Sequence, residues 1–247
     1  MDCMPPSAIN QLRRWHGCNT TAELEQSVVR AVLDAARQAI AARGIFHIVL
    51  TGGKTPRRMY EMLSAAATDW RAWHVYFGDE RCLPRTDTER NSLMAELAWL
   101  NHVAIPAAQI HAIPAESGAA AAATAYAHVL ADVSLFDMVL LGLGEDGHVA
   151  SLFPGHPLGD AADSPAVIAV HAAPKPPPAR VSLSAWRLSA TRHLLFLVSG
   201  MSKQQAIRDW RNGVFLPCAS ITPVHGVDIY LEAELLRPLS PDIFASS

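Results

Sequence analysis

Apolar residues recur at helical spacing over residues 20–43, where Leu24, Val28, Val32, Ala35 and Ala39 stand three or four apart. Thr20 and Glu23 supply a capping-box signature at the start of that run, which predicts an amphipathic helix. The period then changes. Residues 45–50 form a short apolar run, followed by a Gly-rich turn and a helix predicted over 56–67. A further strand-like run at 73–77 completes a β-α-β unit. The alternation continues through an Ala-rich helix over 119–131 that opens at Gly118. Strands follow at 137–141, near 167–170 and at 193–198, and a last helix begins near Ser202. Strands alternating with helices predict an α/β, doubly wound fold, a largely parallel sheet flanked by helices.

Composition narrows the class. Of 247 residues, 50% are apolar and 17% charged, enough for a sizeable core and against a disordered chain. No repeat of fixed period appears. The stretch 172–179, with Pro174, Pro176, Pro177 and Pro178, reads as a stiff loop rather than a linker, so residues 1–247 are taken as a single domain. A net charge of -3 provides no overall attraction to nucleic acid or an anionic membrane. An anionic ligand must then be caught by a few placed residues. The six tryptophans lack interleaved basic clusters, which points to packing. Cys3, Cys18, Cys82 and Cys218 form no CxxC pair, and Met1 to Pro6 lack a signal-peptide pattern. Together with the absence of any long apolar run, this predicts a cytosolic protein that neither enters membranes nor binds nucleic acid.

Five loops carry candidate chemistry. Thr51-Gly52-Gly53-Lys54-Thr55-Pro56 follows a strand, with Thr55 suited to cap a helix and Pro56 to open it. Its glycines, amides and lysine suit a phosphate, although a plain strand-to-helix turn has the same form. A Walker loop is excluded, because its first glycine falls on Ile48. Gly78-Asp79-Glu80-Arg81 follows the next strand: Arg81 suits an oxyanion and Asp79 a histidine or hydroxyl, the plain alternative being a salt-bridged surface turn. Asn91 reads as the cap of a helix carrying Leu93, Leu97 and Leu100.

Gly142-Leu143-Gly144-Glu145-Asp146-Gly147-His148 satisfies G-x-G-x-x-G, but Pro154 and Pro157 leave no room for the helix a dinucleotide site needs. His148 in that loop suits a general base. Arg180 lies in the fourth loop, where a solvated surface charge is the plainer reading taken alone. In the fifth, Ser202 and Gln205 spell a capping box. That box sets Lys203 at a helix start, where an ammonium is unfavourable unless an anion sits between it and the dipole. No HExxH or similar ligand set occurs, so no metal is expected.

Taken in order over about residues 45–210, these loops resemble the 6-phosphogluconolactonase family. The shared blocks are Gly-Gly-x-Thr-Pro, Gly-Asp-Glu-Arg, Gly-x-Gly-x-Asp-Gly-His ending in Leu-Phe-Pro, a Pro-rich segment with arginine, and Gly-x-x-Lys. The resemblance implies the Rossmann-like fold of sugar-phosphate deaminases and isomerases, no cofactor, and hydrolysis of a phosphorylated sugar lactone with His148 as base. Asp79 or Asp146 would orient the imidazole or the sugar, and Arg81 would stabilise the oxyanion. Gly52, Gly53, Lys54, Thr55, Arg180 and Lys203 would hold the phosphate. Lys54, Arg90 and Val149 depart from the family's usual serine, serine and threonine. A glucosamine-6-phosphate deaminase is the nearest rival, but the acid it needs five residues after the histidine falls on Phe153. A sugar-phosphate sensor is the rival from another class, and residues 1–43 offer it only one helix and no basic helix-turn-helix.

Overall fold

Burial and hydrogen-bond satisfaction sort the apolar runs into one seven-stranded sheet and one small one. The computed structural model describes residues 11–237; Cys3 and the Met1 to Pro6 start lie outside the described residues. The chain begins with β1 (Arg13–Cys18), a strand that the hydrophobic pattern does not announce, and α1 (Thr21–Arg43). Thr20 caps α1 by accepting from the Glu23 amide, and the Glu23 carboxylate accepts from the Asn19 amide at 2.8 Å, one residue before the partner a capping box uses. Gly44, at φ 74°, ends the helix. The predicted stripe, Leu24 through Ala39, is its buried face.

There follow β2 (Phe46–Leu50), α2 (Lys54–Leu63), β3 (Trp73–Phe77), β4 (Asp79–Arg81), α3 (Asn91–Ala98), the two-residue β5 (Ile110–His111) and α4 (Ala119–Val129). Next come β6 (Phe136–Gly142), β7 (Val167–Val170), β8 (Arg180–Leu183), α5 (Ala185–Ser189), β9 (Thr191–Val198), α6 (Gln204–Arg211) and β10 (Val227–Glu232). The main sheet runs β1-β10-β9-β6-β2-β3-β5, and every pairing in it is parallel. Its central strand β6 is buried from Phe136 to Leu141, the continuous apolar run expected where helices cover both faces. Strand order reverses between β2 and β6. At such a switch point the loops leaving the carboxyl ends of the two strands diverge and open a crevice.

The second sheet, β4-β8-β7, is antiparallel. It corrects two expectations: residues 167–170 do not join the parallel sheet, and the second and fourth loops are strands. Only Gly78 separates β3 from β4. Its amide still donates to Leu50 of β2, while its carbonyl accepts from Leu183, which turns the chain out of one sheet into the other. The cause is a long-range pairing that no local pattern encodes.

Helix starts also differ from expectation. Gly53, not Thr55, is the N-cap of α2, so Lys54 and Thr55 lie inside its first turn. Arg90 is the cap residue of α3, and Asn91 is its first helical residue. A short 3-10 turn, Met201–Lys203, precedes α6, and Ser202 makes no cap bond. In α3 the capping falls to a distant acid. The Glu80 carboxylate, 0% exposed, accepts from the amides of Arg81, Asn91 and Ser92, each at 2.9 Å. Arg90 Nε lies 3.3 Å from Glu80 Oε2, the oxygen that accepts from Ser92; the Arg90 side chain is 1% exposed, and its Nη1 and Nη2 donate to Glu116 and the Ile113 carbonyl.

Trp70, Trp73 and Trp99 pack edge to face or tilted against one another, the packing role expected of them. No helix among the described residues is long and apolar enough to cross a membrane. Removing one partner of a buried ion pair strands the other's charge. Glu80→Ala is therefore expected to lower the unfolding free energy by about 3–5 kcal/mol, measured by chemical denaturation.

Candidate active site

The crevice at the switch point is a cleft of about 170 Å³. Its wall includes Gly52 and Gly53 beyond β2, Asp79 and Arg81 of β4, and Gly144 and His148 beyond β6, with Arg180 of β8. Loops more than 120 residues apart in sequence thus meet there. Thr51 joins two of them: its amide and carbonyl bond the buried Tyr60 hydroxyl, and its Oγ1 accepts from the Gly142 amide at 3.3 Å.

His148 Nδ1 lies 2.5 Å from Asp146 Oδ1, so Asp146 rather than Asp79 supports the imidazole. A carboxylate accepts only, which places the proton on Nδ1 and leaves the Nε2 lone pair free. The Gly144 amide donates to the His148 carbonyl at 2.8 Å and closes the loop. A Cβ on Gly144 would fall 1.9 Å from His148 Nδ1, so only glycine leaves room for the pair. The buried Phe153 ring packs 4.7 Å from the imidazole, between centroids.

Burial is the largest influence on His148 and holds its pKa below the ordinary imidazole value; Asp146 opposes, and nearby Lys175 acts with burial. For Asp146 burial pushes upward, but the hydrogen bond and charge of His148 outweigh it and hold the carboxyl below its ordinary value. At neutral pH the pair is an ionised carboxylate and a neutral base.

Antiparallel register sets Arg81 opposite Arg180. Burial, above all, holds the Arg180 guanidinium below its ordinary value; Asp79 opposes this and Arg81 adds to it. Two of its nitrogens are committed: Nε donates to the Pro177 carbonyl and Nη2 to those of Lys175 and Pro176, each at 3.0 Å. Arg180 thus braces the Pro-rich loop while lining the cleft. Arg81 Nε is buried without an acceptor among the described residues, and its Nη1 donates to the Glu89 carbonyl. Two adjacent cations in one wall favour an anion between them.

The expected phosphate set divides. Gly52 and Gly53 line the cleft, but Lys54 and Thr55 face a neighbouring hollow with Arg58, Ser199 and Glu232, where Thr55 Oγ1 bonds Ser199 Oγ at 2.7 Å. The early start of α2 turns them there. Lys203 Nζ lies 3.8 Å from Glu145 Oε1, outside the lining; burial first, then Lys175, lowers its pKa, and Glu145 opposes.

Asn91 does more than the sequence suggests. Its Nδ2 donates to the Asp79 carboxylate and carbonyl at 3.0 Å, and its Oδ1 sits 2.0 Å from where a Cβ on Gly52 would be. Leu143, Ala150 and Lys175 were also missed, and spacing alone gives no signal for them. Among the described residues, no group of three or more histidines, cysteines or acids is arranged to hold a metal ion.

The family model for glucosamine-6-phosphate isomerases/6-phosphogluconolactonase matches residues 19–230. A 6-phosphogluconolactonase of Streptomyces coelicolor is 40% identical over 187 residues, 68% of this chain and 71% of the relative. One of Mycobacterium tuberculosis is 40% identical over 192 residues, 72% of this chain and 77% of the relative. The three-dimensional structure of 6-phosphogluconolactonase from Trypanosoma brucei matches in fold with a TM-score of 0.80 at 24% identity, covering 94% of this chain and 100% of the other. With the ordered loops converging on one cleft at the sheet's switch point, these likenesses mean that the chain belongs to the 6-phosphogluconolactonase family.

Proposed function

We propose that this protein hydrolyses 6-phosphogluconolactone to 6-phosphogluconate in the oxidative pentose phosphate pathway, acting as one cytoplasmic α/β domain on a small-molecule substrate. The observation that carries the reading is the Asp146-His148 pair beside two arginines in a single cleft. Nε2 of His148 takes a proton from water, and the hydroxide adds to the lactone carbonyl carbon. The carbonyl electrons move to oxygen, where Arg81 offsets the new charge. Collapse of the adduct breaks the bond to the ring oxygen, which receives the proton from the imidazolium. The carboxylic acid formed then ionises. The step as written uses no metal or organic cofactor.

The phosphate is held by the Gly52-Gly53 turn at the start of α2 and by Arg180, whose Nη1 has no acceptor among the described residues. Lys203 adds positive potential from the rim, and Lys54 and Thr55 act from the neighbouring hollow. Asp79 accepts from a sugar hydroxyl. Phe153 gives His148 an apolar wall and offers no group for proton transfer to an amino sugar, which disfavours a deaminase.

The deciding assay is hydrolysis of 6-phosphogluconolactone against the spontaneous rate, with unphosphorylated gluconolactone in parallel. Fast turnover of the phosphorylated lactone alone is expected; no acceleration overturns the reading. His148→Ala is expected to fold, bind product and lose about 10²–10⁴-fold in kcat. Because burial holds His148 below the ordinary imidazole range, kcat/KM is expected to stay level through neutral pH and to fall only as the base protonates at lower pH. Asp146→Asn removes the larger of the two acidic influences that raise this pKa, the other being the Asp79 charge, so its acid limb moves lower while turnover drops. Gly144→Ala displaces the imidazole and is expected to match His148→Ala in rate, as measured by the same assay.

A further inference from the structure

Ser151 is 1% exposed, and its Oγ donates to Asp79 Oδ2 at 2.6 Å across 72 residues of chain. Asp79, 6% exposed, receives Asn91 Nδ2 on its other oxygen. Each carboxylate oxygen therefore has one protein donor and one remaining lone pair, and Asp79 lines the cleft. The anchor continues behind Ser151, whose amide donates to Ser182 Oγ at 3.2 Å; Ser182 is the residue of β8 that pairs with Asp79 in register.

The turn that delivers Ser151 is strained. Ala150 has φ 48°, the one non-glycine residue among those described in the left-handed region. Val149 and Leu152 bond each other's backbone across it. In that tight turn His148 and Ala150 face the cleft while Ser151 turns inward to Asp79. A non-glycine residue holds such a conformation only where its surroundings over-determine it.

We infer that Ser151 is a positioning residue for lactone hydrolysis: its bond to Asp79 fixes that carboxylate as the acceptor for a sugar hydroxyl and locks the His148 loop against β4. The inference rests on the lactonase reading. Ser151 touches no reacting atom and acts through Asp79, which explains why a buried hydroxyl is spent on a charged group already held by Asn91. Without it, Asp79 Oδ2 has no protein donor and turns toward water or the substrate in more than one orientation. The sugar then sits less well over the Nε2 of His148, and small misplacements carry large rate penalties.

A double-mutant cycle with Asp79→Asn tests this, using steady-state hydrolysis of 6-phosphogluconolactone and thermal melts of each protein. Ser151→Ala is expected to lower kcat/KM by about 10–100-fold alone but less than about threefold in the Asp79→Asn background. In Ser151→Ala the acid limb set by His148 is expected to stay where it is, because the Asp79 and Asp146 charges that act on it remain, whereas Asp79→Asn is expected to move it lower. Ser151→Cys, of similar volume and weaker as a donor, is expected to fall between, and it replaces Ser151→Ala in the cycle should that variant not fold. Additive losses in the cycle, or unchanged kcat/KM in Ser151→Ala, overturn the role of Ser151. Absence of lactone hydrolysis by the unsubstituted protein overturns the lactonase reading instead.

Discussion

The burial of two consecutive carboxylates on β4 is the constraint on which the cleft depends. A strand sends neighbouring side chains to opposite faces, so Asp79 and Glu80 must be satisfied by different parts of the chain. Glu80 takes three backbone amides and lies against Arg90, which fixes the start of α3 against β4. Asp79 takes Ser151 and Asn91, which fixes the His148 loop and the floor beneath Gly52. An unpaired buried charge costs several kcal/mol, so each carboxylate compels its donors into place. The Gly52 turn, the start of α3 and the His148 loop are registered to one another because a three-residue strand has two acids to satisfy.

The protonation of His148 is set by competition rather than by a single neighbour. Asp146 alone would make His148 a stronger base with a raised pKa. Burial beside Phe153 and the charge of Lys175 pull the other way and win. The outcome is an imidazole that is neutral at neutral pH yet oriented by an ionised acid, the state in which such a group can act as a general base. The same low-dielectric setting strengthens any charge interaction that Arg81 makes in the cleft.

Charge in this protein is local. The whole chain carries -3, but the cleft wall sets Arg81 beside Arg180, with Lys175 and Lys203 close enough to influence His148 or one another. Arg180 also shows that one guanidinium can hold its own loop and line a cleft, since its planar fork has donors on two sides. The basic groups reach the cleft through pairing of β4 with β8 and through the Pro-rich loop, not through any basic run in the chain.

Much of this was legible in the residues. Alternating apolar periods foretold the parallel α/β sheet, because burial on both faces leaves that pattern in any order of pairing. The glycines, the Asp-Gly-His block and the succession of loops foretold the cleft's main lining, because tight turns and close approach admit few residue types. Helix phase, by contrast, was decided in three dimensions: α2 begins at Gly53, which turns Lys54 and Thr55 away from Gly52, and Glu80 rather than Asn91 caps α3. So were the antiparallel sheet, the choice of Asp146 over Asp79 as partner to His148, and the bond from Ser151 to Asp79. The chain by itself determined which turns and which chemistry are available. Contacts between segments far apart in sequence decided where those groups point, because a buried polar atom takes the donor that folding brings to it, and no local pattern records which one that is.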